Sequence, residues 1–350
     1  MRYSLLVMFI FLCHLGISQD IHFSQFYMSP LNLNPALTGV SEHSQRYILN
    51  YRSQWSPALG AANAYNTSSF SYDTRKPVGE LDYFGIGGTL WGDVAGESNL
   101  ATVQVKLSAS YQKYLSGNSK RSSYLVVGGD VGYTNRRVST DNLRWPLQHD
   151  GIGGFNAGAP SGEIAAIDNN QIDPINYPDV SVGVLYFSSN EESLSYFGGF
   201  AFSHINRPNI SFLGEDSSLF VRTTVNAGAE IPVNPRVSVL PNAIVFIQGP
   251  HREYNLGANL RYRMNDTGAG RQYVQLGAWF RTGNSVDSSI HADAFIVSVR
   301  IDNGSYGIGL SYDATVSDFR SAAPANGSFE LSANYYIPGK KRRGVFCPRF

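Results

Sequence analysis

The chain has 350 residues, with 27 Lys+Arg balanced by 27 Asp+Glu, and charged residues are only 15% of it, against about 25% in an average soluble domain. Aromatic residues make up 13%, and there are two cysteines. So few charges with so many aromatics exclude a disordered chain, two cysteines exclude a disulfide framework, and a neutral balance argues against a nucleic-acid groove, which relies on basic excess.

Residues 1–18 have the layout of a secretory signal peptide. Arg2 precedes an apolar run from Tyr3 to Leu15, and Gly16 and Ser18 place small residues at −3 and −1 of a cut before Gln19. The run falls short of the ~20 residues that a helical membrane span needs. Cleavage would leave 26 basic against 27 acidic residues, with Cys347 as the only thiol, so no internal disulfide can form. Residues 19–45 are expected as an N-terminal periplasmic segment.

From there the chain alternates with period two. In 305–313, Tyr306, Ile308, Leu310 and Tyr312 oppose Gly307, Gly309, Ser311 and Asp313; in 253–263, Tyr254, Leu256, Ala258, Leu260 and Tyr262 oppose Asn255, Gly257, Asn259 and Arg261. Successive strand side chains point to opposite faces, so each segment has one apolar and one polar face. Fourteen such segments are predicted: 46–55, 62–74, 82–92, 101–114, 122–134, 180–188, 194–206, 219–231, 236–247, 252–263, 271–282, 290–300, 305–315 and 328–337. A soluble sandwich would bury the apolar faces between sheets; a membrane barrel turns them to lipid. The segments run about ten residues, the length that tilted strands need to cross a bilayer. Tyr and Phe sit at the ends of the apolar faces, as at Tyr254/Tyr262, Tyr306/Tyr312 and Phe329/Tyr335. The expected fold is therefore all-β: an outer-membrane barrel of about 14 antiparallel strands over 46–337. The long connections 135–179, 207–218 and 316–327 all follow odd-numbered strands, and the short Pro232-Val233-Asn234-Pro235 and Asp302-Asn303-Gly304 follow even-numbered ones. That is the asymmetry of outer loops and periplasmic turns, so both termini, including the basic tail 338–350, are expected in the periplasm.

Chemistry-bearing motifs are sparse. No two of the seven histidines stand at i, i+4 in an HExxH, and GxSxG is absent, so neither a zinc protease nor a hydrolase elbow is indicated. Asp168, Asn169, Asn170 and Asp173 offer oxygens of the kind Ca²⁺ takes, without the spacing or glutamate of an EF-hand loop; no metal and no cofactor is assigned. Arg222, Arg261, Arg263 and Arg281 fall on polar faces, as a solvated lumen with paired charges or as a solute path. The surface best suited to hold another protein is the 135–179 loop, with Trp145, Phe155 and Tyr177, and 207–218 beside it, since aromatics and Arg make good anchors. The same aromatics could instead fold inward as a plug.

Three stretches carry a family resemblance: Gln19-Asp20-Ile21-His22-Phe23-Ser24-Gln25-Phe26-Tyr27-Met28-Ser29-Pro30-Leu31-Asn32-Leu33-Asn34-Pro35-Ala36-Leu37-Thr38-Gly39 with Tyr51-Arg52-Ser53-Gln54-Trp55 after it; Pro178-Asp179, Gly183-Val184-Leu185-Tyr186 and Ser203-His204-Ile205-Asn206-Arg207-Pro208-Asn209; and Cys347-Pro348-Arg349-Phe350. Together they resemble the PorP/SprF outer-membrane proteins of the Bacteroidetes type IX secretion and gliding system. Ile21 and Phe26 depart from the family pattern. The resemblance implies a non-enzymatic barrel that anchors or assembles secreted surface proteins, gliding adhesins among them, by binding their C-terminal domains, alongside other secretion components. It adds His204 and Arg207 to the candidate partner-binding residues. A passive porin or solute transporter is the alternative that the architecture permits.

Overall fold

The computed structural model describes residues 20–60, 63–96, 98–118, 120–139, 149, 154, 156, 172–190, 193–212, 216–264, 271–284, 289–317 and 327–339. The signal peptide, Trp145, Phe155, Asp168 and the tail from 340 onward lie outside them. Fourteen strands form: β1 Gln45–Gln54, β2 Tyr65–Val78, β3 Asp82–Ala95, β4 Leu100–Gly117, β5 Arg121–Arg137, β6 Ile175–Asn190, β7 Ser195–Ser203, β8 Arg222–Asn234, β9 Val237–Gln248, β10 His251–Arg263, β11 Gln272–Asn284, β12 Ile290–Asn303, β13 Tyr306–Thr315 and β14 Gly327–Ile337. Each pairs antiparallel with its neighbours in sequence, and β1 pairs with β14 from Gln45↔Ile337 to Gln54↔Ser328, so the sheet closes and no edge is left. All fourteen expected strands are present. Closure gives each strand a neighbour on both sides, so backbone groups facing lipid find partners that lipid cannot supply.

The apolar faces point outward. Leu107 is 67% exposed, Leu276 58% and Leu256 53%, while Asn255, Asn259 and Arg261 on the other face of β10 are buried. Such a continuous exposed apolar band suits hydrocarbon rather than water. Exposed Tyr306 and Tyr312 sit at opposite ends of β13, and Phe329 and Tyr335 do the same on β14.

The connections sort by length. The longest, after β5, β7 and β13, share one end of the barrel, where the two-residue turn 249–250 also lies; the tight turns Gly79–Leu81, Pro235–Arg236 and Gly304–Ser305 are at the other, with the eight-residue connection 264–271. The longest connection is shorter than expected, because β5 runs to Arg137 and β6 begins at Ile175. There the outward faces are polar: Asn135 donates to Asn176 across the pair at 2.8 Å. No apolar alternation marks that part of the strands, so Tyr177 and Asp179 are strand residues rather than loop residues.

The main correction concerns residues 20–44. Expected as a periplasmic segment, they lie inside the barrel. Phe23, Phe26, Tyr27, Met28, Leu31, Leu33, Ala36, Leu37 and Val40 are all buried. Seven of them join inward-facing Tyr124, Val126, Leu185, Phe187, Phe197, Ile244, Trp279 and Ile296 in one cluster. The segment crosses the lumen from end to end. Ser44 bonds Ile337 where β14 finishes, whereas Asp20 lies beside His204, after β7, and Arg222, which opens β8. Residue 20 is therefore at the end with the long connections, opposite the start of β1.

Candidate functional site

The lumen segment folds without periodicity. It is built from a 3₁₀ turn at Phe26–Met28, one α-turn at Pro30–Leu33 and a second 3₁₀ turn at Pro35–Leu37. Pro30 and Pro35 each open a turn, where a missing N–H costs nothing and the fixed φ is already helical. Asn34 caps the last turn: its Oδ1 accepts from the Ala36 N–H at 2.9 Å, and its Nδ2 donates to the carbonyls of Val184 and Phe200 at 3.2 and 3.3 Å. Gly183 makes room for this cap, since a Cβ there would strike the Asn34 carboxamide.

Chain buried in this way must find hydrogen-bond partners for its backbone, and the inward polar rows of the strands supply them. Glu330 accepts from the N–H groups of Ser24 and Gln25 at 2.7 and 2.9 Å. Arg52 donates to the His22 carbonyl at 2.7 Å, Asn50 to that of Met28 at 3.2 Å and Ser110 to that of Thr38 at 2.6 Å. Arg46 donates to the Leu37 carbonyl at 3.1 Å and pairs with Asp73 at 2.7 Å. Asp73 in turn accepts from the Gly39 N–H at 2.6 Å, where the chain turns through a positive φ of 69° that glycine adopts without strain. On the opposite wall Trp279 stacks on Tyr27 and meets Phe26 edge-on, both at 5.3 Å between ring centroids, geometries that aromatic quadrupoles favour.

At the long-connection end the segment finishes in a charged latch. His204 Nε2 lies 2.5 Å from Asp20 Oδ2, and His204 Nδ1 lies 2.8 Å from Asp179 Oδ1. Arg222 reaches Asp20 at 3.4 Å, and Lys106 reaches Asp179 at 3.3 Å and Asp130 at 3.5 Å. Burial works against the charge on His204, but the carboxylates of Asp20 and Asp179 hold its pKa up to about 9. Burial likewise opposes the Asp20 carboxylate, yet His204 and Arg222 keep its pKa below the usual range.

Of the expected partner-binding residues within the described chain, Tyr177 is buried on the inner face of β6, and His204 is buried in the latch. Arg207 is exposed on the turn that follows. His204 and Arg207 both adopt positive φ, 58° and 44°, and the Arg207 N–H bonds the His204 carbonyl at 2.9 Å. The inward arginines are paired: Arg261 with Glu230, Arg281 with Asp293 and Asp313, and Arg222 with Asp20. Arg263 lies half-buried at the tight-turn end. No group of three or more potential metal ligands occurs among the described residues. Asp20, Ser24, Asn34, Asp73 and Glu330 went unmarked in the sequence as site residues. A usable signal existed, because the motif stretches around Asn34, Arg52, Asp179, Gly183 and His204 are the residues by which the lumen segment and its seat meet.

No curated protein matches the chain. Among solved structures it is similar to the toluene transporter TodX of P. putida, with 11% identity, 93% of this chain and 97% of that one covered, and a TM-score of 0.45. It is also similar to CdiB from Escherichia coli, with 10% identity, 85% and 64% covered, and a TM-score of 0.46. A bacterial polysaccharide outer membrane secretin gives 10% identity, 85% and 99% covered, and a TM-score of 0.39. The family model for the type IX secretion system membrane protein PorP/SprF matches residues 16–335. The chain is an outer-membrane β-barrel and belongs to the PorP/SprF family of type IX secretion system membrane proteins.

Proposed function

We propose that this barrel is a non-enzymatic holder for secreted proteins. It anchors or assembles cell-surface proteins, such as gliding adhesins, at its long-connection end by binding their C-terminal domains, and works with other secretion components. The observation that carries this reading is the occupied lumen. Residues 20–43 fill the barrel with chain whose backbone is bonded to the wall from Arg46 to Glu330. A passive porin needs open lumen. A barrel closed by its own chain instead offers its rim, and the largest rim surfaces are the connections after β5, β7 and β13. In this reading those connections face the cell exterior.

The test is replacement of 140–172 by a short Gly/Ser linker, with affinity purification from native outer membranes. Shortening a surface loop costs little closure entropy, so the barrel should keep its heat-modifiable gel migration. The secreted protein that co-purifies with the unaltered barrel should be lost and shed into the medium. Retention of that protein would move the docking surface elsewhere and defeat the reading.

A further inference from the structure

Between His204 and Arg222 the barrel wall leaves a place for one carboxylate, and a residue of the lumen segment fills it. Asp20 Oδ2 lies 2.5 Å from His204 Nε2 and 3.4 Å from Arg222 Nη1. The wall sets both donors. Asp179, wholly buried, ties down His204 Nδ1 at 2.8 Å and is itself held by Gln104 Nε2 at 2.9 Å and Lys106 at 3.3 Å. With Nδ1 engaged in this way, Nε2 is the nitrogen that His204 turns to the segment. The Arg222 guanidinium lies over the Phe246 ring, 5.5 Å from its centroid. Charged donors held in place and largely screened from water are what anion recognition requires.

Charge points the same way. Lys106, His204 and Arg222 face Asp130, Asp179 and Asp20 in one connected set of ion pairs. Without Asp20 one positive charge is left over, at the His204–Arg222 end, so the place suits a single monoanion. Asp20 is also the least enclosed of the three carboxylates. Its side chain is 19% exposed, against 3% for Asp130 and 0% for Asp179, and its N–H reaches Gln248 only at 3.3 Å. A cavity of about 20 Å³, enough for one water, borders it and is lined by Asp20, Arg222, Gln248, Arg252 and Glu253 among others. Arg252 and Glu253 add one charge of each sign there. The firm seat of the segment begins further in, where Glu330 accepts from the N–H groups of Ser24 and Gln25. A thinly held, partly exposed end of this kind can lift locally while the rest of the segment stays in place.

We propose that His204 and Arg222 form a carboxylate-binding site at the long-connection end, with Asp20 as its resident ligand and an external carboxylate as the competitor that takes its place. The group can arrive as a small free acid or as the C-terminal carboxylate of a bound polypeptide. The polypeptide source rests on the anchoring reading; the site itself does not.

Asp20→Ala vacates the site, and the detergent-purified full-length barrel carrying it provides the test. It should lose heat-modifiable migration at a lower temperature than the unaltered barrel. Sodium acetate should restore the difference, and acetamide with sodium chloride at matched ionic strength should not. Calorimetry should show saturable acetate binding to this variant, tighter by about tenfold or more than to the unaltered barrel, where Asp20 competes; that is the worth of one charge-assisted hydrogen bond. Adding His204→Gln should abolish the acetate effect. Asp20→Asn, which keeps the volume and removes the charge, is the second variant should the first not fold, and acetate should stabilise it too. A further arm titrates the unaltered barrel with N-acetyl-triglycine against its C-terminal amide. Binding of the free acid alone, and more tightly than acetate, identifies a polypeptide C-terminus as the source; binding no tighter than acetate identifies the small acid. No acetate effect beyond that of chloride in either Asp20 variant, equal effects of acetate and acetamide, or an acetate effect that survives His204→Gln would overturn the proposal.

Discussion

Asp20 and His204, 184 positions apart in sequence, meet at 2.5 Å where the lumen segment reaches the end of the barrel with the long connections. The pair sits within a set of charges from five elements: Asp179 of β6, Lys106 of β4, Asp130 of β5 and Arg222 of β8 around Asp20 of the segment.

The latch carries a pH dependence of definite sign. The His204 pKa stands at about 9 when folded, against 6.5 for the free side chain. Its contribution is therefore fully present below pH 6.5 and is lost as pH rises through 9. At 1.36 kcal/mol per unit this is on the order of 3 kcal/mol. The temperature at which the barrel loses heat-modifiable migration should fall between pH 6.5 and 9. In His204→Gln that fall should be absent.

Gly183 and Asn34 form a steric pair. Gly183→Val places a branched side chain against the Asn34 carboxamide. Overpacking of this kind costs typically 1–3 kcal/mol. The variant should insert and migrate as a barrel while its lumen segment loosens, measured as new conductance across a planar bilayer. Adding Asn34→Ala should recover part of the closure, because it removes the colliding atoms.

The outward rows should respond to charge as a lipid-facing surface does. Leu107 lies mid-strand on β4 and is 67% exposed. Leu107→Arg should destabilise the barrel by about 2–4 kcal/mol in urea unfolding from bilayers. A change near zero would place that face in water.

Sidedness follows from the sorting of connections. Ser217→Cys, in the connection after β7, should react with an impermeant maleimide on intact cells. Lys120→Cys, in the tight turn after β4, should react only after the outer membrane is opened. The reverse pattern would invert the barrel.

Strand number and facing were legible because lipid-facing strands must alternate: Tyr254, Leu256, Leu260 and Tyr262 announce β10 without reference to the rest of the chain. The lumen segment was not legible in the same way. Its buried residues, from Phe23 to Val40, follow irregular turns set by Pro30, Asn34 and Pro35, so they leave no period. Its partners are long-range: Glu330 bonds Ser24 across 306 positions, and Arg281 reaches Ser24 across 257. Polar inner faces suited a wet or a plugged interior alike, and the Arg, Asn, Ser and Glu residues on them serve a buried backbone. His204 stood out through its motif, but its role as a buried latch depends on Asp20 and Asp179, which only the closed barrel brings to it.

Single-channel recording of the purified full-length barrel in a planar bilayer, beside a variant lacking residues 20–43, tests most directly the claim that the chain closes its own lumen. The unaltered protein should show no steady conductance steps, and the deletion variant, if its strands still close, should show them. Stable open-channel steps from the unaltered barrel would contradict the account and restore the porin reading.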